Sequence, residues 1–255
     1  MVTGVRAAMA VIDLLKVHGS KNDIFIIEGS PGDSFTATEL AALVQRLCDR
    51  SGPLGGDGVY FLDTCSMPAI ATFFNPDGSA AAFCGNGMRA VGRLLLDRSG
   101  LDSATVTSDG FDFTVRRADP TPEGVVQIVV DMPPVDFTPQ TPVVAGGMVA
   151  SGAAHIDELM PVLHPSRHYT ALAVPNSHLV SVSDSYDEAE LIDVGRRVAA
   201  NQQMFPIGAN LSHVLPLADA EVFIRTYERG AGLTMSCGSG VAASRAACSR
   251  LTQRS

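Results

Sequence analysis

Short apolar runs alternate with polar or glycine-rich turns along the chain, and this pattern predicts a series of strands and helices. Residues 12–30 hold two apolar runs on either side of the polar segment HGSKND, which predicts a β-hairpin. Residues 36–50 carry leucines at helical spacing behind two N-cap candidates, Thr36 and Thr38, and predict an amphipathic helix. A strand is expected to follow the glycine-rich loop of residues 52–58.

The order of the predicted elements occurs twice along the chain. In the first half, a strand, a turn at Asn75–Gly78 and a cysteine lead into an apolar helix that ends near Asp97, and further strands follow it. In the second half, strands near 143–150 and 169–174, a helix over 186–203 and more strands lead into a second cysteine and a second apolar helix. This internal repeat predicts two halves of similar structure.

Length and charge limit the classes of function. The chain has 255 residues, enough for one large domain or two of about 120 residues. Four prolines crowd residues 133–142, and we interpret this stretch as a linker between domains at 1–132 and 143–255. The net charge is −9 and no basic block is present, which argues against a nucleic-acid partner.

The strongest chemical signal is a pair of matching turns, Cys84-Gly-Asn-Gly and Cys237-Gly-Ser-Gly, each at the start of a predicted helix. The first N–H groups of a helix lack intrahelical partners, so each turn can hold a carboxylate and favour a thiolate. Two opposed turns would suit removal of a proton from one face of an α-carbon and its delivery to the other. A single turn of this kind would fit a tight loop with a buried structural cysteine equally well.

The cysteines indicate the redox compartment of the protein, and the lysines bear on whether it uses a cofactor. Five cysteines without a C-x-x-C spacing signal neither a disulfide framework nor a zinc site, and reduced thiols fit the cytoplasm. No apolar run is long enough to span a membrane, and residues 1–10 do not resemble a signal peptide. We interpret those residues as an extension, or as a start placed upstream of Met9. Neither lysine, Lys16 or Lys21, has a clear pyridoxal-phosphate context, so no cofactor is expected.

Seven segments, in order, together resemble the diaminopimelate epimerase family: HGSKNDIFII, FNPDGS, FCGNGMRA, VPNSH, FPIGAN, RTYERGAGLT and SCGSGVAA. The resemblance runs from about residue 14 to the end of the chain. It implies an α/β (α+β) fold of two pseudo-symmetric domains, each a strand barrel around a central helix, with the site in the cleft between them. It also implies cofactor-independent interconversion of LL- and meso-diaminopimelate on the lysine and peptidoglycan pathway.

The resemblance implies a role for each residue that matches a family motif. Cys84 and Cys237 would be the acid/base thiols, and His178 and Glu228 would assist them. The matching substrate contacts are Asn22, Asn75, Gly85, Asn86, Asn176, Asn210, Arg229, Gly238 and Ser239. Structural alternatives stay open at this point: the asparagines suit turns, His178 suits a strand end, and Glu228 with Arg229 suits a surface ion pair.

The chain departs from the family pattern in three places. GPLGGDG lacks a glutamine that some relatives carry, and Ser177 stands where the family often has proline. Only 18 residues follow Cys237, whereas 47 residues run from Cys84 to Asp131 and include strands. We therefore expect the second half to be less stable, or to be covered by another chain, and a homodimer is left open. Two alternatives to the epimerase remain: a racemase of another amino acid on the same fold, and an inactive small-acid binder.

Overall fold

The computed structural model of the chain describes residues 12–145, 153–218 and 221–253 and contains two mixed β-sheets in these ranges. The first half comprises β1 (Leu14–Gly19), β2 (Asn22–Glu28), α1 (Ala37–Cys48), β3 (Gly58–Asp63), β4 (Ala69–Phe74), β5 (Ala80–Ala81), α2 (Gly85–Ser99), β6 (Ser103–Ser108), β7 (Phe111–Ala118) and β8 (Gln127–Asp131). The second half comprises β9 (Glu158–Leu159), β10 (His168–Val174), β11 (Asn176–Val182), α3 (Glu188–Ala200), β12 (Asn210–Ala218), β13 (Glu221–Glu228), β14 (Gly232–Leu233) and α4 (Gly238–Thr252).

The first sheet has the order β1-β2-β3-β4-β6-β7-β8, and β5 pairs with β4. The predicted hairpin is confirmed: β1 and β2 are antiparallel, and Ser20 and Lys21 close the turn with φ angles of 51° and 67°. Positive φ at both central residues is what a two-residue turn between twisted strands requires. The predicted first helix, α1, begins after Thr36, whose side chain forms a capping box with Glu39.

Helices cover both faces of the first sheet at β2 and β3. α1 packs with Phe25, Ile27 and other residues on the outer face. The alternate residues of β2, Ile24 and Ile26, face inward and pack in one cluster with Met88 and other residues of α2. Because apolar side chains are needed on both faces, this segment is apolar throughout rather than alternating.

The second sheet, in the order β14-β13-β12-β11-β10-β9, repeats this arrangement. β11 and β12 are parallel and α3 connects them, as β2 and β3 are parallel and joined by α1. α4 packs against Leu172, Val174, Val180 and Val214 of this sheet. The expected fold is confirmed: it is a mixed α+β chain with two related halves, each with a curled sheet around a central helix.

The two central helices differ in how fully strands surround them. α2 contacts strands on both edges of its sheet, β1 and β8, and β6, β7 and β8 follow it in sequence. α4 packs on β10 to β13, and within the described residues no strand follows it. Val241 on α4 is 52% exposed. The predicted difference in stability between the halves stays a prediction.

Some expectations need correction or fall outside the described residues. The strand expected near 143–150 is not present at 143–145, which form a bend, and 146–150 lie outside the described ranges, as do residues 1–10. Val143 and Val144 are apolar because they are buried in the core of the second half, and the Ala145 N–H donates to the Met204 carbonyl at 2.8 Å rather than to a strand. The proposed domain bounds, 1–132 and 143–255, stay a prediction. None of the helices in the described ranges is long and apolar enough to cross a membrane.

Candidate active site

The two cysteine turns lie directly against each other. Cys84 is the N-cap of α2 and Cys237 is the N-cap of α4, and their backbone angles are almost identical, with φ and ψ of −126° and 108° against −127° and 105°. A Cβ atom built on Gly85 would lie 4.0 Å from the Cα of Gly238, an ordinary van der Waals distance, so the two turns are in contact. Two helix N-termini, with their partial positive charge, therefore meet at one place.

Backbone amides of the turns point at the sulfur atoms. The Gly240 N–H donates to Cys237 Sγ at 3.3 Å, and the Ser239 hydroxyl lies 3.5 Å from the same sulfur. The backbone amides of Gly87 and Asn86 interact with the Cys84 thiol in the same way. Each of these contacts favours the thiolate and so lowers the pKa of its thiol.

Burial raises the pKa values of both thiols, whereas the turn amides lower them. The effect of burial is the larger one and sets the protonation state of the thiols. Burial raises the pKa of Cys84 to about 12, and the nearby Glu228 carboxylate adds to the rise. Burial followed by the charge of Glu228 likewise raises the pKa of Cys237 to about 12. Both thiols therefore hold their protons near neutral pH in this form of the site, and a thiolate needs a proton acceptor or a nearby positive charge to form.

Glu228, at the end of β13, is placed to exchange a proton with a thiol. Burial raises the pKa of its carboxyl, while the hydroxyl of Thr234 and the thiol of Cys237 act against the rise. Glu228 accepts a hydrogen bond from Thr234 Oγ1. The raised pKa makes the Glu228 carboxylate a stronger base than an exposed carboxylate, while burial keeps the proton on the Cys237 thiol in the absence of substrate.

His178 is placed differently from the other predicted catalytic residues. It lies on β11, in register with Asn210 of β12, and is fully buried. Neither ring nitrogen has a hydrogen-bond partner among the described residues, and burial lowers the pKa of the imidazole to about 3. The ring is therefore neutral at working pH, and its role beside the thiols stays a prediction.

One cavity between the two sheets brings together the other predicted site residues. Its walls include Asn22, Asn75, Cys84, Gly85, Asn86, Asn176, Asn210, Glu228, Arg229, Cys237, Gly238 and Ser239. His178 is not part of this wall. Residues distant in sequence thus line one cavity around the two cysteines.

Two asparagines connect the halves across the cavity. Asn86 Nδ2 donates to the Ser236 carbonyl at 3.0 Å, and Asn176 Nδ2 donates to the Phe83 carbonyl at 2.9 Å. Ser236 and Phe83 are the residues that precede the two cysteines, so each half holds the cysteine turn of the other. Asn86 Nδ2 also donates to Asn22 Oδ1 at 2.6 Å.

The remaining predicted contacts, Asn75, Asn210 and Arg229, also lie on the cavity wall. Asn210 Oδ1 accepts from the Arg229 backbone N–H at 2.8 Å, and the Arg229 guanidinium donates to the Ile207 carbonyl. Asn75 donates to Ser79 Oγ at 3.1 Å within its own turn, so the turn-forming interpretation of Asn75 holds alongside its position on the wall.

Sequence reasoning missed several residues that shape the site. Asp57 Oδ2 accepts from the Asp23 N–H and Asp57 Oδ1 accepts from Arg50, both at 2.8 Å, which fixes the hairpin end that carries Asn22. Tyr60 binds the backbone of the first cysteine turn. The sequence signal for Asp57 was an acidic residue near the end of the glycine-rich loop of residues 52–58, just before a buried strand.

Comparisons with known proteins agree with this geometry. The sequence profile of the family described as diaminopimelate epimerase matches residues 14–137 and 170–254. A diaminopimelate epimerase from Ligilactobacillus salivarius is 34% identical over 242 residues, which cover 91% of this chain and 73% of that protein. One from Enterococcus faecalis is 36% identical over 237 residues, or 90% and 72% of the two chains. The crystal structure of a probable proline racemase from Agrobacterium radiobacter K84 matches with a TM-score of 0.59 at 16% identity, covering 96% of this chain and 78% of that one, and supports the fold alone.

Proposed function

This chain belongs to the diaminopimelate epimerase family, and we therefore propose that it interconverts LL- and meso-diaminopimelate by proton transfer at an α-carbon between Cys84 and Cys237. The observation that carries the proposal is the apposition of two N-cap cysteines, with their helix N-termini, in one cavity. We place the reaction, as in the family, in the cytoplasm among the steps that supply lysine and peptidoglycan precursors.

The α-carboxylate of the substrate would lie between the two helix N-termini. The amides of Gly85 and Asn86 on one side, and of Gly238 and Ser239 on the other, are the first N–H groups of α2 and α4. Such groups, together with two helix dipoles, favour an anion and favour still more the second negative charge that develops as the α-proton leaves. This electrostatic contribution is what makes a weakly acidic α-proton removable.

Proton transfer would begin with a change in the thiol pair. Cys237 passes its proton to the Glu228 carboxylate, and the positive α-ammonium group of the substrate stabilises the thiolate that results. The thiolate then removes the α-proton, and the Cys84 thiol donates its own proton to the opposite face of the carbon. The reverse reaction uses the same two sulfurs with their roles exchanged.

The side chains of the site suit a mechanism without an imine-forming cofactor. A Schiff base needs a lysine, and none of the described residues that line the cavity is a lysine. Lys16 donates to the Leu54 carbonyl at 2.8 Å and lies outside the cavity wall.

The distal end of the substrate would meet Asn75, Asn210 and Arg229. These residues lie on the cavity wall, and Arg229 supplies a positive charge there. A second charged end distinguishes diaminopimelate from most other amino acids, which favours this substrate over those of a general racemase. The retention of two opposed thiols argues against an inactive binder.

A panel of amino acids incubated in D₂O tests this proposal. Proton NMR should show loss of the α-proton signal for diaminopimelate at a rate far above that for alanine or proline. A variant with Cys65 replaced by alanine, which alters an exposed thiol, controls for general effects of cysteine loss. Exchange that is as fast with proline as with diaminopimelate would favour the racemase alternative, and no exchange with any amino acid would favour the binder.

A further inference from the structure

We propose that Tyr60 is a positioning residue for Cys84, because its hydroxyl group holds the backbone of that cysteine at the N-terminus of α2 and so directs the thiol into the cavity. The catalytic consequence of this proposal rests on the proposed function, whereas the contact itself does not. Tyr60 does not line the cavity, and it acts through Cys84.

The hydroxyl of Tyr60 makes two hydrogen bonds to one residue. The Cys84 N–H donates to Tyr60 Oη at 2.9 Å, and Tyr60 Oη donates to the Cys84 carbonyl at 3.2 Å. The same carbonyl accepts the Met88 N–H at 2.8 Å, the first hydrogen bond of α2. An N-cap residue lies half outside its helix, so its own N–H needs a partner from elsewhere, and the tyrosine supplies it.

The ring of Tyr60 supports the same turn from below. Tyr60 lies on β3, is fully buried, and packs against Phe73 with ring centroids 4.8 Å apart. A Cβ atom built on Gly87 would lie 2.7 Å from the tyrosine ring, so the ring fills the space beneath the first turn of α2. The ring therefore fixes the distance of the turn from the sheet, and the hydroxyl fixes the position of Cys84 along it.

The second half supports its cysteine in a different way. The register of the parallel strands places Ser212 of β12 where Tyr60 stands in β3, since Asn210 pairs with His178 as Gly58 pairs with Ile24. The Ser212 hydroxyl bonds the hydroxyl of Thr226 at 2.8 Å. Within the described chain, neither hydroxyl bonds the backbone of the second cysteine.

Because only Cys84 is held by a tyrosine among the described residues, a substitution of Tyr60 should affect one thiol and leave the other unchanged. Loss of the Tyr60 hydroxyl leaves the Cys84 N–H without its partner and frees the turn whose amides, those of Asn86 and Gly87, lower the pKa of Cys84. The pKa of this thiol should rise further, while the thiol of Cys237 keeps its own contacts with Gly240 and its neighbours.

The test replaces Tyr60 with phenylalanine, which keeps the ring and removes one oxygen atom. Replacement of Tyr169 by phenylalanine is the matched control, because that hydroxyl is also buried and has no hydrogen-bond partner among the described residues. Alkylation by iodoacetamide, followed at each cysteine by peptide mass spectrometry between pH 7 and 10, reports thiol reactivity without any substrate. Epimerisation kinetics give kcat and KM.

In Y60F, we expect alkylation of Cys84 to slow at least about threefold at each pH, whereas Cys237 keeps the rate of the parent. We expect kcat to fall roughly tenfold to a hundredfold with little change in KM, since a small misplacement of a reacting group has this effect. Y169F should match the parent in both measurements.

An unchanged alkylation rate at Cys84, or an equal change at Cys84 and Cys237, would overturn the proposal. If the protein epimerises no substrate but Y60F alters Cys84 alone, the positioning role stands and the proposed function fails. If Y60F does not fold, G87A disturbs the same contact from the helix side, because the added Cβ atom meets the Tyr60 ring. That variant should also change the reactivity of Cys84 and not that of Cys237, and an unchanged Cys84 would overturn the proposal there too.

Discussion

Replacement of Arg229 by alanine should weaken the use of diaminopimelate about tenfold or more in kcat/KM. Arg229 lies on the cavity wall, where its guanidinium donates to the Ile207 carbonyl and its backbone N–H donates to Asn210 Oδ1 at 2.8 Å. The variant keeps the backbone N–H, so Asn210 keeps its orientation and only the guanidinium is lost. A hydrogen bond to a charged group contributes about 1.5–3 kcal/mol.

The lower end of that range is the better estimate here, because the guanidinium is partly exposed and water screens its charge. Since about 1.4 kcal/mol corresponds to a tenfold change, R229A should lose roughly a factor of ten. R229K should fall between R229A and the parent, because lysine keeps the charge and loses the planar pair of donors.

The assay compares kcat/KM for diaminopimelate with the rate of α-proton exchange for alanine, which has no distal carboxylate. R229A should lower the first value and leave the second unchanged. Replacement of Arg245, an exposed arginine on α4 outside the cavity wall, by alanine is the matched control. If the preference of R229A for diaminopimelate over alanine is as strong as that of the parent, the assignment of Arg229 to the distal carboxylate is wrong.

Two further predictions concern pH and stability. Because burial raises the pKa of Glu228, the folded state binds a proton more tightly than the unfolded state, so the parent should lose stability as pH rises from about 4.3 through the raised value. E228Q should remove that loss in thermal melts at several pH values, and an identical pH dependence in both proteins would contradict it. Limited proteolysis should first cleave after about Pro134 and leave a protected N-terminal fragment, because strands surround α4 less fully than α2. Equal resistance of both halves in a dilute, monomeric sample would contradict this expectation.

Local patterns predicted most of the elements correctly. The capping box at Thr36 and the turn at Ser20 and Lys21 are short-range signals, and each lies where the structure begins or ends an element. Such signals depend on neighbouring residues only and are therefore readable without the fold.

Contacts that depend on sheet register could not be predicted in the same way. The Tyr60 hydroxyl reaches Cys84 across 24 positions, and Asn86 reaches the Ser236 carbonyl across 150 positions. Nothing near Tyr60 in the sequence distinguishes it from any other aromatic residue of a buried strand. The positions of Asn22 and Asp57 likewise follow from the parallel pairing of β2 with β3, which only the fold establishes.

The most direct test of the central claim, that two opposed cysteines carry out the reaction, is deuterium incorporation at the α-carbon during epimerisation in D₂O. Mass spectrometry of substrate and product at early times should find deuterium in the product and little in the recovered substrate. The donating thiol carries a deuteron taken from the solvent, whereas the opposite thiolate takes up the proton that leaves the substrate and can return only that proton. C84A and C237A should each abolish epimerisation, and C65A should match the parent. Equal deuterium in substrate and product, or full turnover by either C84A or C237A, would contradict the account.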